Sequence, residues 1–195
     1  YGEQRRTVVA PDQIPEIVRK ATLAVEDRNF YAHAAIDWKS VTRAMIANIV
    51  NGGVVQGGST ITQQLAKKAF LTDDRTLSRK LKELVIAYNL EKRYSKDEIL
   101  NLYLNQIPYG ANAYGIEAAA QTYFAKSAME LTIAETALLA SLPKAPSYYS
   151  PWGTHVTDLM ARKDRPIRQI QDAGFITEDE KEKALAEKLA FVPPF

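Results

Sequence analysis

The sequence predicts an all-α fold. Apolar residues recur at helical spacing along most of the chain, Ser/Thr-x-x-Glu/Gln boxes mark helix starts, and only Thr7-Val8-Val9 reads as a short extended segment. About eight or nine helices with negligible sheet are expected.

The first helix follows Pro15, which suits a first turn because its missing N–H costs nothing there. Ile14, Ile17, Val18, Ala21, Ala24 and Val25 give it one apolar face, and Glu26 and Asp27 stand at its C-terminal end. Carbonyl ends disfavour negative charge by about 0.3 to 1 kcal/mol, so two acids there call for a cation, a metal or a proton. The alternative is that they fray into solvent. Asp37 can cap a helix from Trp38 to about Val50, stopped by Asn51-Gly52-Gly53. The loop Val54 to Ser59 then feeds a helix whose capping box is Thr60 and Gln63, with Ile61, Leu65, Ala66 and Ala69 facing inward. Thr60, Gln63, Gln64 and Lys67 fall on one stripe. It is either an anion site at a helix N-terminus or a solvated face.

Asp73 or Asp74 opens a longer helix with Leu77, Leu81, Leu84, Val85 and Tyr88 inward and Arg79, Lys80 and Glu83 on its polar side. Arg79 and Glu83 form either a surface pair or, with Lys80, a phosphate-holding group beside a carboxylate. Ser95 and Glu98 box the next helix, with Ile99, Leu102 and Tyr103 inward and an end near Asn105. An aromatic loop from Pro108 to Gly115 precedes the Ala-rich helix Ile116 to Phe124, and Thr132 with Glu135 starts another, closed by Pro143. Ala145 to Pro151 reads as a loop. Two helices follow, one from about Val156 to Ala173 that Pro166 should kink or split, the other after Thr177.

The bulk properties narrow the function. A chain of 195 residues suits one domain, or one with two lobes, and without cysteine it has no disulfide, thiolate site or cysteine nucleophile. A net charge of +2 from 25 basic and 23 acidic residues does not announce nucleic acid, which is not expected as a partner. No run reaches the length of a membrane span. His33 is expected as a hydrogen-bonding support rather than a metal ligand, because no second His or Cys lies nearby in sequence.

Four separated blocks go further. They are Glu26-Asp27-Arg28-Asn29-Phe30-Tyr31-Ala32-His33, Gly57 through Lys67 (GGSTITQQLAK), Arg79-Lys80-Leu81-Lys82-Glu83, and Glu98 through Asn105 running on to Asn112-Ala113-Tyr114-Gly115. In kind, order and separation they resemble the peptidoglycan glycosyltransferase domain, glycosyltransferase family 51, of class A penicillin-binding proteins and monofunctional wall transglycosylases. The similarity runs from about Val9 to Pro151.

That resemblance implies a lysozyme-like, two-lobed helical domain spanning 1–195, with a small membrane-proximal lobe at roughly 34–58. It implies a lipid II polymerase that makes β-1,4-linked glycan with inversion and releases polyprenyl diphosphate. Glu26 would be the general base and Glu83 the second carboxylate. Asp27, Phe30, His33, Ser59, Thr60, Gln63, Gln64, Lys67, Arg79, Lys80 and Asn105 would bind substrate. No obligatory cofactor is expected, although Mg2+ or Mn2+ near Glu83 is a candidate. Expected partners are lipid II, the growing glycan chain, the membrane surface and a transpeptidase domain in a longer chain. The expected location is the extracytoplasmic face of the bacterial cytoplasmic membrane, normally reached through an N-terminal transmembrane anchor that this chain lacks. Moenomycin-type phosphoglycolipids are the expected inhibitors.

Two other readings stay open. A lysozyme-like hydrolase or lytic transglycosylase would need a protonated carboxyl rather than the Lys67, Arg79, Lys80 cluster, and a non-catalytic wall or membrane module would leave both carboxylates idle. Four positions depart from the family pattern. Ala35 and Ala125 stand where glycine is usual, at a cost of about 1 to 2 kcal/mol if the backbone there is left-handed. Lys68 replaces an asparagine, and Asn101 a common glutamate.

Overall fold

The computed structural model describes residues 5–34, 59–70, 77–144 and 156–192. Nine α-helices lie within them: α1 (Glu16–Glu26), α2 (Ile61–Phe70), α3 (Leu77–Arg93), α4 (Lys96–Gln106), α5 (Ile116–Phe124), α6 (Ile133–Ser141), α7 (Val156–Ala161), α8 (Asp164–Asp172) and α9 (Glu178–Ala186). The only sheet among the described residues is a parallel pair of two-residue strands, β1 (Arg5–Arg6) and β2 (Ala113–Tyr114). The all-α expectation therefore holds. The extended segment lies two residues before the expected Thr7-Val8-Val9, because the strand is defined by pairing with β2 and not by its own β-branched residues.

The chain forms two compact units. The first comprises 1–28 and 104–195, the second 29–103. The small lobe expected at 34–58 falls almost wholly outside the described residues, as do the helix Trp38 to Val50, Ala35, the Asp73 or Asp74 cap and the Ala145 to Pro151 loop.

In the first unit α1 packs on α6 and α8, and α9 closes over α8 and α6. Val18, Ala21, Leu23 and Ala24 are buried in α1, while Ile17 and Val25 are half-buried. Pro15 is the N-cap of α1. Thr132 and Thr177 make reciprocal capping boxes with Glu135 and Glu180, each satisfying two otherwise orphaned N–H groups. Pro166 lies in the first turn of α8, so the split comes before it, where its missing donor leaves no helix bond unmade. Ala125, at the C-cap of α5, is left-handed at φ 53° and ψ 39°. An alanine thus occupies the conformation that favours glycine.

In the second unit α2 packs on α3. Ile61, Leu65 and Ala66 are buried as expected, but Ala69 is exposed. The larger correction is in α3. Leu77, Leu81, Val85 and Tyr88 are 55–78% exposed and Leu84 is half-buried, whereas the buried line is Glu83, Ala87 and Leu90. The helix is turned so that small Ala87 admits close packing and Glu83 points inward, its burial made tolerable by adjacent cations. In α4, Ile99, Leu100, Tyr103 and Leu104 are buried and Leu102 only half-buried.

Candidate active site

In the first unit Glu26 is the last residue of α1 and Asp27 its C-cap, with the Asp27 N–H donating to the Leu23 carbonyl at 2.9 Å. The two acids do sit at the carbonyl end of a helix. Glu26 is half-buried, and its Oε1 is shielded from solvent. Tyr109, in the aromatic loop, is 1% exposed. Burial pushes its phenol up, and the negative charge of Glu26 adds to the shift. The loop is pinned by the Tyr109 N–H on the Ala113 carbonyl (2.9 Å) and by the Tyr123 hydroxyl on the Tyr109 carbonyl (2.7 Å). Sequence reasoning misses Tyr109, since nothing beyond its place in an aromatic, turn-rich loop marks it.

Asn105 has a specific occupation in this unit. Its Oδ1 accepts from Val9 N–H at 2.9 Å and its Nδ2 donates to the Val9 carbonyl at 3.2 Å, tying the N-terminal segment to the end of α4. Gly115 lies against the same residue. A Cβ there would stand 2.6 Å from the Asn105 carbonyl oxygen, and φ of +85° independently demands glycine.

The second unit holds the charged group. Glu83 is 2% exposed, with Arg79 Nη1 2.8 Å from Oε2 and Lys80 Nζ 2.9 Å from Oε1. The expected alternative of a surface pair does not fit that burial. Lys80 Nζ also reaches Ser59 Oγ at 3.4 Å, which brings the residue before Thr60 to the cation pair. Two cations against one carboxylate leave this group net positive.

The capping box that starts α2 is present in both directions, with Gln63 N–H on Thr60 Oγ1 and Thr60 N–H on Gln63 Oε1, each 3.1 Å. Thr60 and Gln63 are 2% and 1% exposed, while Gln64 and Lys67 are half-buried, so the polar stripe is no solvated face. The Gln63 Nε2 is buried without a hydrogen-bond partner among the described residues. Gln64 Oε1 accepts from the Tyr103 hydroxyl at 3.1 Å. Phe30 is fully buried, with Tyr31 and His33 edge-on at 5.3 and 6.3 Å between ring centres, and His33 Nδ1 lies 2.5 Å from the Ala34 carbonyl. Lys68 is exposed and Asn101 half-buried.

The described residues do not fit a protein-held Mg2+ or Mn2+ at Glu83. Such ions need about six oxygen ligands, whereas both Glu83 oxygens face cations and no group of three or more His, Asp or Glu side chains gathers among the described residues.

The family profile described as Transglycosylase matches residues 1–171. Penicillin-binding protein 1A of Aquifex aeolicus is 48% identical over 96% of this chain and 26% of its own length, and penicillin-binding protein 1F of Bacillus subtilis is 51% identical over 92% and 25%. The crystal structure of penicillin-binding protein 1A from Haemophilus influenzae superposes with a TM-score of 0.59 at 27% identity, covering 98% of this chain and 19% of that one. The chain therefore spans about a quarter of the curated relatives it matches. A profile match over most of the residues, together with close identity to both relatives, shows that the chain belongs to the transglycosylase family, the peptidoglycan glycosyltransferases.

Proposed function

We propose that the chain polymerises lipid II, with Glu26 as general base and the Glu83 group facing the diphosphate. The observation that carries this is the buried Glu83 ion-paired to Arg79 and Lys80, with Ser59 beside Lys80. A glycosyl diphosphate leaves as an anion, so its departure is helped by fixed cations and not by a protonated carboxyl. Glu26 takes the proton of the acceptor 4-hydroxyl as that oxygen attacks the anomeric carbon. The bond from that carbon to the diphosphate oxygen breaks, its electron pair leaves with the diphosphate, and configuration inverts to β-1,4. Glu26 then loses the proton to solvent. Lys67, Arg79 and Lys80 meet the diphosphate charge, and Thr60, Gln63 and Gln64 offer hydrogen bonds to sugar or phosphate oxygens. Charge neutralisation by these side chains asks for no divalent ion.

The reaction runs at the outer face of the cytoplasmic membrane, in a longer protein that also carries an anchor and a transpeptidase domain. No described helix is long and apolar enough to cross a membrane. The exposed row Leu77, Leu81, Val85 and Tyr88, with Lys92 4.7 Å over the Tyr88 ring, supports contact with a bilayer surface, where apolar residues dip and lysines stay with the headgroups.

The test offers the protein labelled lipid II and, separately, finished peptidoglycan, with Glu26→Gln as control. Glycan chains formed by the native protein and not by the variant are expected. Shortening of finished glycan would instead make the protein a hydrolase, and binding without either activity would make it a non-catalytic module.

A further inference from the structure

A chain of contacts inside the second unit involves residues to which the reaction above gives no part. Thr62, in the first turn of α2, is fully buried and donates its hydroxyl to Glu91 Oε1 at 2.6 Å. Lys96 Nζ reaches the same oxygen at 2.8 Å and lies 4.5 Å from the centre of the Phe30 ring. Phe30 is itself fully buried, in the segment that follows Glu26. One ammonium thus touches both the segment after the base and, through one carboxylate oxygen, the helix that carries Gln63, Gln64 and Lys67.

The placement of Lys96 is informative because it opposes a local preference. It is the first residue of α4, where the helix dipole disfavours a cation, and Asp97 and Glu98 follow it in the same turn. Nothing in α4 itself asks for a lysine there. The ammonium is held by Glu91 and by the negative face of the Phe30 ring. Two further contacts run in parallel: Tyr31 donates its hydroxyl to Asp97 at 2.5 Å, and Tyr103 donates to Gln64 at 3.1 Å. Helix α4 therefore grips residues 30–31 and α2 at once.

Resting on the polymerase reading, we propose that Lys96 is a positioning residue. Through Glu91 and Thr62 it sets the rotation of α2 about its axis, and through Phe30 it sets the course of the segment after Glu26. The groups on α2 are thereby held where the transition state needs them. Small misplacements of such groups are felt in turnover more than in substrate affinity.

The experiment compares Lys96→Met, Lys96→Arg, Thr62→Val and the Met/Val double variant with native protein. Polymerisation rates are taken across lipid II concentrations, and thermal unfolding is followed on the same preparations. Lys96→Met is expected to lower kcat on the order of tenfold with KM changed less than about threefold. Lys96→Arg, which keeps the cation and the ring contact, should recover at least about half of native turnover. Thr62→Val should lose a similar factor, and the double variant should be no worse than the poorer single, because both act through one connection. Thr62→Val changes no charge and nearly no volume, so it probes the same connection should Lys96→Met fold poorly. Native turnover in Lys96→Met, losses that multiply in the double variant, or an Arg variant no better than Met would each overturn the proposal. A native protein inert toward lipid II would instead overturn the polymerase reading.

Discussion

Glu83→Gln keeps the side-chain shape and removes the charge between Arg79 and Lys80. The Arg79 side chain is 13% exposed and Glu83 2%, so this leg is desolvated, and breaking such a pair costs about 3 to 5 kcal/mol. The glutamine still accepts a hydrogen bond from Arg79, which returns about 1 to 2 kcal/mol. The Lys80 leg is 43% exposed and screened by water, worth about 0 to 1 kcal/mol. The net expectation is a loss of about 3 kcal/mol of stability, which a domain of ordinary stability, about 5 to 15 kcal/mol, survives folded. The effect on chemistry should be of similar size. Losing one fixed charge from an electrostatically organised site typically costs about a hundredfold in rate, equivalent to about 2.7 kcal/mol. Lipid II polymerisation and guanidinium unfolding, measured on one preparation, separate the two. Turnover within about threefold of native would remove Glu83 from the mechanism.

Ala125→Gly relieves a left-handed alanine at the end of α5 and should stabilise the protein by about 0.5 to 1 kcal/mol, after the extra unfolded-state entropy of glycine is subtracted. Chemical unfolding midpoints check it, and an unchanged midpoint would show that the strain is absorbed by neighbours. Burial raises the phenols of Tyr109 and Tyr123 above their unfolded value of 10.0. Their neutral forms favour the folded state, so this contribution is complete below pH 10 and is lost as the pH climbs toward the raised folded values. In an alkaline absorbance titration these two should ionise only together with unfolding, and their early titration in folded protein would contradict the burial. Chelation with EDTA should leave polymerisation rates unchanged within about twofold, since Arg79 and Lys80 already face both oxygens of Glu83. A rate abolished by EDTA and restored by Mn2+ would refute that.

Much of this molecule is local and therefore written in the sequence. A capping box needs only residues three apart, so Thr60 with Gln63, Ser95 with Glu98 and Thr132 with Glu135 are legible, and each forms in both directions. The position of Glu26 and Asp27 at the end of α1 follows from one apolar stripe for the same reason. The chemistry comes from the four blocks, as what their resemblance implies, and the profile match over residues 1–171 establishes the family independently.

The tertiary structure decided which way α3 faces. Hydropathy alone turns Leu77, Leu81 and Val85 inward, because it assigns Glu83 the cost of a lone buried charge. With Arg79 and Lys80 at 2.8 and 2.9 Å that cost is largely offset, and the helix buries the carboxylate while its leucines face out. The same is true of Tyr109 beside Glu26, of Asn105 on Val9, and of Lys96 between Phe30 and Glu91. Each joins residues distant in sequence. Sequence spacing determined where the helices begin and end, and long-range packing determined which of their charged side chains face one another.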